Sequence, residues 1–308
     1  MKILLTNIGR RTYLIDYLIE LKKKYNKIKI FVSDSNVNAA GMNWGKNIMA
    51  IKTPQTKDTK KYLMKIKKVC NQYKINLIIP VSDRDLSLLS LHAKYFKKIK
   101  TKLIISSYKV IKICNNKLLT HEFCKKININ TPGIRKHNTD SGYLLKPIYG
   151  SGSKNIIHKI GILKKTKINY KKFFYQKKIS GQEYGLDILN DFGGKYISCC
   201  IKKKLLMRSG ETDQAEIVFN NELVNLAKKI SKHLNHIGNL DCDVIRSKNK
   251  KIFVIDLNPR FGGGYPFTHK YGYNYLKYMI EDAFNLKKTR IFRKNNKRIF
   301  SKGISLSI

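Results

Sequence analysis

Short apolar segments alternate with segments of helical spacing over the first third of the chain. A strand is predicted over residues 2–6, and a turn over residues 7–11 follows it. Apolar residues from Leu14 to Leu21 then recur at helical spacing, and a second strand is predicted over residues 29–33. This strand–helix–strand order predicts neighbouring parallel strands in one sheet.

Two later segments, residues 76–81 and 103–106, are also predicted as strands, and Asp83 follows the first of them closely. Residues 1–110 are therefore predicted to form a doubly wound α/β domain, whose ligands would lie at the carboxyl ends of the strands. The first turn contains one glycine, Gly9, where a dinucleotide fingerprint has three. NAD binding is therefore not expected.

The rest of the chain predicts longer strands joined by hairpins. Helices are predicted over residues 116–126 and 222–234, and short strands with a Gly/Ser loop over residues 142–175. The longer predicted strands are residues 184–189, 196–201, 240–245 and 252–257. Turns at 191–194 and 247–250 join successive strands as hairpins. This part is predicted to be α+β with a largely antiparallel sheet.

Composition narrows the class of protein. The chain of 308 residues contains no apolar run of about 18 residues, so no membrane span is expected. Residues 1–11 have too short an apolar region for a secretory signal. The six cysteines lack metal-binding or framework spacing, and they are expected to be reduced thiols of a cytoplasmic protein, several of them in the core.

The formal net charge of +43 is the most unusual number in the composition. A balance this basic can mark a protein that binds nucleic acid or another polyanion. The excess is mostly lysine, however, and it is scattered along the chain instead of forming one stripe. We interpret it mainly as solvated surface, with weak, salt-dependent polyanion binding as the expected consequence.

The segment from Val254 to Arg260 carries the densest candidate chemistry. Asp256 and Asn258 are two residues apart, so on a strand both side chains lie on one face. Their hard oxygen atoms are ligands that suit Mg²⁺, and Arg260 suits the charge on a transferring phosphoryl group. The alternative is an ordinary strand end that meets water in a Gly-rich turn.

Two further segments suit a nucleotide. Lys146 ends a predicted strand and precedes a Gly/Ser loop at residues 150–153, where small residues let backbone N–H groups surround phosphates. Residues 176–183 link two predicted strands and offer backbone groups to an adenine edge, with Glu183 placed to accept ribose hydroxyls. Each segment has a plain alternative, a flexible hairpin and a domain crossover respectively.

The order of these segments resembles the ATP-grasp superfamily, and among its members the single-module proteins similar to the carbamoyl phosphate synthase large subunit. The similarity begins at the turn 7–11 and the strand end at 79–83, which resemble the family's first domain. The resemblance implies a pre-ATP-grasp domain at 1–110, a small lobe with the phosphate loop at 111–175, and a C-terminal lobe with the metal site at 176–308.

The resemblance also assigns individual roles. Lys117 and Lys146 match the two ATP-phosphate lysines, and Arg260 matches the arginine at the transferring phosphate. The implied nucleotide contacts are Ser151, Gly152 and Ser153 in the loop, Gln176, Lys177, Lys178 and Ile179 in the adenine hinge, and Glu183 at the ribose. The implied metal ligands are Asp243, Asp256 and Asn258, with Asp241 as the alternative to Asp243.

The chain departs from the family pattern at three positions. It has Asn116 where the family often has Asp, Lys177 where it often has Glu, and Asp256 where Glu is commoner. None of these changes removes a required type of charge. In similar enzymes the loop that corresponds to residues 207–213 of this chain faces the acceptor site. The resemblance therefore implies that Arg208 binds a substrate carboxylate. The alternative is a surface hairpin.

The resulting hypothesis is an ATP-dependent carboxylate–amine ligase that acts through an acyl phosphate, with an amino acid or small carboxylate as substrate. ATP and Mg²⁺ are the expected cofactors, with Mn²⁺ as a substitute metal, and a homodimer is compatible with an exposed first domain. The alternative is a polyanion or nucleic-acid binding protein on a degenerate ATP-grasp fold. A carbamoyl phosphate synthase fragment ranks lower, because that reaction needs two modules and this chain has one.

Overall fold

The computed structural model describes residues 1–135, 142–150, 156–157, 170–208, 210–291 and 296–303. The first 103 residues contain a five-stranded parallel sheet with the strand order β3-β2-β1-β4-β5. Its strands are β1 (Lys2–Thr6), β2 (Lys29–Asp34), β3 (Ile48–Lys52), β4 (Leu77–Pro80) and β5 (Lys102–Leu103). The accompanying helices are α1 (Thr12–Lys22), α2 (Thr59–Tyr73), α3 (Asp83–Leu91) and α4 (Ala93–Lys98).

Helices cover both faces of this sheet. Ile3 and Leu5 of β1 pack in one core with residues of α1, whereas Leu4 packs in a second core with residues of α2. Alternate β1 side chains therefore point to opposite buried layers, which explains the continuous apolar run. The predicted doubly wound α/β fold of the N-terminal region is confirmed.

Two details of the sheet differ from the prediction. The sequence pattern does not predict β3, because this edge strand has only one buried residue, Ile51, between polar and exposed neighbours. The strand predicted over 103–106 is wrong in its bounds, since β5 ends at Leu103. The chain turns away soon afterwards, and Ser107 caps the next helix by accepting a hydrogen bond from Val110 N.

Two helices and a small antiparallel sheet follow. The helices are α5 (Tyr108–Asn115) and α6 (Lys117–Lys126), and the strands are β6 (Ile134–Arg135), β7 (Tyr143–Pro147) and β8 (Phe173–Lys177). The strand order is β6-β8-β7. Lys146 and Gln176 lie on neighbouring strands of this sheet, and Lys146 also reaches Ile255 O in the large sheet that follows.

A six-stranded antiparallel sheet occupies the remainder, with the strand order β13-β12-β9-β10-β11-β14. Its strands are β9 (Gly181–Asn190), β10 (Tyr196–Arg208), β11 (Glu211–Val218), β12 (Gly238–Ser247), β13 (Ile252–Asn258) and β14 (Arg298–Ser301). Helices α7 (Asn221–Leu234), α8 (Tyr265–Lys270) and α9 (Tyr275–Ala283) complete this part. The predicted antiparallel sheet and both hairpins are confirmed.

The two faces of the large sheet differ in chemistry. Leu186, Cys242 and Leu257 lie on one face and pack in a core with residues of α5, α6 and α7. The intervening residues of the same strands, among them Asp187 and Asp241, point to the opposite face. The apolar face anchors the sheet, and the opposite face is left to carry charged side chains.

The segment 207–213 is not the loop that the sequence predicted. Strand β10 continues to Arg208 and β11 begins at Glu211, so Met207 and Thr212 are paired across the hairpin. The sequence pattern misses the end of β10 because its last four residues are all exposed and show no alternation of buried and exposed positions.

All six cysteines are free, as predicted, and all six are buried, where only several were expected in the core. Within the described ranges, no helix is long and apolar enough to cross a membrane.

Candidate functional site

The charged face of the large sheet carries two rows of polar residues at the end of β12 and β13. Asp243 and Asp256 are direct partners across β12 and β13, and Asp241 is opposite Asn258 in the next row. On the other side of β12, Asp241 is paired with Asp187 of β9. Antiparallel partners have side chains on the same face, so the ladder brings the predicted metal ligands together.

Lysines from β10 neutralise this acidic surface. Lys204 Nζ lies 2.7 Å from Asp243 Oδ1 and 3.5 Å from Glu183 Oε2. Burial works to lower the pKa of Lys204, but the charges of Asp243 and Glu183 outweigh it and raise the pKa above the usual value. For Asp243, burial works to raise the pKa, and the charge of Lys204 lowers it overall. Both groups are therefore ionised at neutral pH.

A second ion pair lies deeper, and sequence reasoning missed it. Lys202 Nζ lies 2.5 Å from Asp187 Oδ2, and both side chains are almost fully buried. Thr268 donates to the same carboxylate, and Asn239 donates to its Oδ1 at 3.2 Å. The sequence indicates this ion pair only by placing one charged residue, Asp187 or Lys202, at a buried position of each of two apolar strands.

Lys117 enters the site from the start of α6. The side chain of Asn116 caps this helix by accepting from Leu118 N and Leu119 N, which explains why Asn serves here as well as Asp. Lys117 Nζ donates to Gly150 O at 2.7 Å and lies 3.3 Å from Asp256 Oδ1. The predicted phosphate lysine and the predicted metal ligand are thus in contact.

Lys146 approaches from β7 and is buried. Its Nζ lies 3.4 Å from Ile255 O and 3.5 Å from Gln176 Oε1. Burial is the main cause that lowers the pKa of Lys146, and Lys117 acts in the same direction against the attraction of Asp256. A buried cation held by weak neutral contacts is suited to binding an anion.

Arg260 is held from two directions. Its Nε and Nη2 donate to the two carboxylate oxygens of Asp83, at 2.6 and 2.9 Å. Its backbone carbonyl accepts from Asn239 Nδ2 at 3.1 Å. Burial works to lower the pKa of Arg260. The charges of Asp83 and Asp241 outweigh burial, so the pKa of Arg260 is raised above its ordinary value.

The glycines after Arg260 allow the loop to lie directly on charged side chains. A Cβ at Gly262 would overlap the carboxylate of Asp241, and one at Gly263 would lie 2.8 Å from Glu211 Oε2. Burial, with Asp243 and Asp187 acting in the same direction, raises the pKa of Asp241 to about 6. A bound cation would relieve this repulsion between neighbouring carboxylates.

The predicted adenine hinge lies where β8 leads into β9. The N–H groups of Lys177 and Lys178 donate to the carbonyls of Gly133 and Gly142, both at 2.8 Å. An adenine edge would therefore have to be read by hinge carbonyls or by the N–H of Ile179. Glu183 follows on β9 with half of its side chain exposed.

Arg208 lies at the exposed end of β10, where its Nη2 is 2.9 Å from Asp213 Oδ2. Ser151, Gly152 and Ser153 lie outside the described residues.

The donor set fits a hard divalent cation. Asp243, Asp256 and Asn258 offer carboxylate and amide oxygens, the atoms that Mg²⁺ prefers. Among the described residues, no group of three or more His, Cys, Asp or Glu side chains is arranged to hold a metal on its own. Lys204 contacts Asp243 and Lys117 contacts Asp256, so a metal bound by these carboxylates would have to compete with both lysines.

Family models match most of the chain. Residues 3–104 match the PylC-like N-terminal domain, and residues 114–264 match the ATP-grasp domain. A search of curated proteins gives no match.

Solved structures share the fold at low sequence identity. The biotin carboxylase domain of Hydrogenobacter thermophilus 2-oxoglutarate carboxylase, in complex with MgADP, ADP and bicarbonate, aligns with a TM-score of 0.75 and 16% identity, over 97% of this chain and 73% of that one. The L-amino acid ligase of Bacillus licheniformis aligns with a TM-score of 0.71 and 14% identity, over 94% and 76%. N5-carboxyaminoimidazole synthetase of Staphylococcus aureus gives 0.71 and 14%, over 97% and 81%.

Proposed function

The chain is an ATP-grasp protein with a PylC-like N-terminal domain, and we propose that it is an ATP-dependent carboxylate–amine ligase. One observation carries the proposal. Three cations from separate parts of the chain, Lys117, Lys146 and Arg260, meet the oxygen-rich end of β12 and β13. A site for a metal-bound nucleotide needs cations that bind the phosphates and, beside them, oxygen ligands that bind the metal. These residues provide both.

The reaction proceeds in two steps. A carboxylate oxygen of the first substrate attacks the γ-phosphorus of ATP, the bond to the bridging oxygen breaks, and ADP leaves. The amine nitrogen of the second substrate then attacks the acyl phosphate carbon, phosphate departs with the electrons of the C–O bond, and the nitrogen loses a proton. The products are an amide, ADP and phosphate.

The described residues divide the work in the first step. Lys117 and Lys146 bind phosphate oxygens, which compensates for the burial of Lys146. Arg260 stabilises the negative charge that develops on the transferring phosphoryl group. Asp243, Asp256 and Asn258 would hold Mg²⁺, which supplies charge neutralisation at the phosphates when bound.

The nucleotide base lies at the junction of β8 and β9. Its edge is read by hinge backbone groups between Gln176 and Ile179, and Glu183 accepts the ribose hydroxyls. Ser151, Gly152 and Ser153, which lie outside the described residues, are assigned to phosphate contacts by the sequence resemblance alone. The division into segments 1–110, 111–175 and 176–308 belongs to the same proposal.

The substrates are an amino acid or another small carboxylate, together with an amine. The similarity to an L-amino acid ligase supports this class, although it is a likeness of fold at 14% identity. Arg208 is the candidate for binding the substrate carboxylate, in exchange for its contact with Asp213.

The test is ADP release measured with pairs of carboxylic acids and amines. Release is expected to require both partners, and Asp256→Ala and Lys146→Ala are expected to abolish it. Lys195→Ala, which changes an exposed lysine of the β9–β10 hairpin, is the matched control. ADP formation that is independent of any carboxylate would exclude the ligase reaction.

A further inference from the structure

Asp83, outside the ATP-grasp domain, makes the best-formed contact of the predicted phosphate arginine. It lies at the carboxyl end of β4, in the first turn of α3, and approaches Arg260 from across the molecule. Both carboxylate oxygens are engaged, at 2.6 and 2.9 Å, and the Arg260 side chain is only 6% exposed. A two-point contact of this kind fixes the plane of a guanidinium as well as its position.

The contact leaves one edge of Arg260 available to a ligand. Asp83 takes Nε and Nη2, while Nη1 lies at a long 3.5 Å from Phe261 O. Nη1 is therefore the donor best placed to exchange a weak contact for a phosphate oxygen. Arg260 N also donates to Asn258 O at 2.8 Å, so the backbone of the arginine is held at a predicted metal ligand.

Asp83 is itself held firmly. Ser82 caps α3 by accepting from Arg84 N, and a carboxylate in the first turn of a helix is stabilised by the helix dipole. The first domain touches the same loop a second time, where Tyr13 OH donates to Gly262 O at 2.8 Å. The segment after Arg260 is thus located by two side chains of the N-terminal sheet region.

We propose that Asp83 is a positioning residue that aims Arg260 at the terminal phosphate of ATP, so that the phosphate end of the site depends on the N-terminal domain. This inference rests on the proposed function. Asp83 touches no reacting atom; it acts through Arg260. Its loss leaves the charge of Arg260 in place but releases the orientation of the guanidinium, and a misplacement of about 1 Å can cost ~100-fold in rate.

The test is a double-mutant cycle read by nucleotide affinity. Wild type, Asp83→Asn, Arg260→Lys and the double variant are titrated with Mg–β,γ-imido-ATP and with MgADP, which differ in the terminal phosphate. Asp83→Asn is expected to lower the preference for the triphosphate by about 5- to 10-fold, and to add less than about twofold in the Arg260→Lys background. Asp83→Glu keeps the charge and is expected to retain more of the preference.

Asp58→Asn is the control, because it removes an exposed acid of the same domain whose side chain makes no capping hydrogen bond. Equal effects of Asp83→Asn in both backgrounds would overturn the proposal, as would an unchanged preference with a lowered Tm, since Asp83 would then only join the domains. The affinities need no turnover. If wild type binds both nucleotides but forms no amide, the ligase proposal falls while the cycle still decides the role of Asp83.

Discussion

Lys117 Nζ lies 3.3 Å from Asp256 Oδ1, although the two residues are separated by 139 positions in the chain. One is the predicted phosphate lysine and the other a predicted metal ligand. Without a nucleotide each neutralises the other; under the proposed function, a phosphate would take the place of Asp256 at Lys117, and Mg²⁺ would take the place of Lys117 at Asp256. The ion pair therefore compensates the charge of the buried Lys117 and of the partly buried Asp256 in the absence of a ligand.

The first prediction concerns the metal. Asp256→Asn keeps the shape of the side chain but removes the charge that attracts a divalent cation, so ADP release should fall by about 100-fold or more and require higher Mg²⁺. A Mg²⁺ titration of ADP release measures both effects. Asp58→Asn should leave the titration unchanged, and an Asp256→Asn curve that matches wild type would contradict the assignment.

Lys146 allows activity to be separated from stability. Lys146→Met has a similar length and removes a cation whose burial is unfavourable, so Tm should stay the same or rise while ATP binding weakens. Thermal melts and nucleotide titrations of the same preparation check this. Lys195→Met provides the comparison at an exposed position. A large loss of Tm would indicate that Lys146 is a structural residue.

Arg208 distinguishes an acceptor site from a surface hairpin. Its side chain is 60% exposed, so solvent screens its ion pair with the partly buried Asp213, and Arg208→Ala should cost at most about 1 kcal/mol of stability. If Arg208 binds the substrate carboxylate, KM for the carboxylate should rise by about 10-fold or more while KM for ATP stays constant. Unchanged values of both would leave the residue as a surface group.

Asp85 should make stability depend on pH. Its carboxyl is fully buried and accepts from Thr6 and Tyr62, and burial raises its pKa from 3.8 to about 6. Because the folded state holds this proton more tightly, its contribution is present below pH 3.8 and is lost as the pH rises through about 6.

The matching measurement is urea unfolding between about pH 4 and pH 7. Wild type should lose stability across this range relative to Asp85→Asn, by about 2 to 3 kcal/mol at most. Asp241, whose pKa is raised in the same way, is expected to contribute in the same direction when no metal is bound. Parallel profiles for wild type and Asp85→Asn would contradict the prediction.

The basic surface gives a prediction for the alternative function. The net charge of +43 should produce weak binding to nucleic acid that disappears at about 0.5 M salt and does not depend on base sequence. Asp256→Asn should leave this binding unchanged, because the surface lysines carry it. Tight binding that persists in high salt would favour the polyanion-binding alternative.

The sequence by itself determined the order and type of most elements. The sequence predicts strand β1 with the same bounds as the structure. A short, continuously apolar run between polar residues is typical of a strand that is buried on both faces of a parallel sheet. The sequence alone also predicted that the side chains of Asp256 and Asn258 lie on the same face of their strand, because side chains alternate between the two faces along a strand.

Only the tertiary structure decided which side chains meet. The contact of Arg260 with Asp83 spans 177 positions, and the pair of Lys202 with Asp187 depends on the register of two strands. No local pattern encodes either distance. Such contacts arise when separate apolar cores bring their strands and helices together, and the same packing, by excluding water, makes the choice of partner for each buried charge decisive.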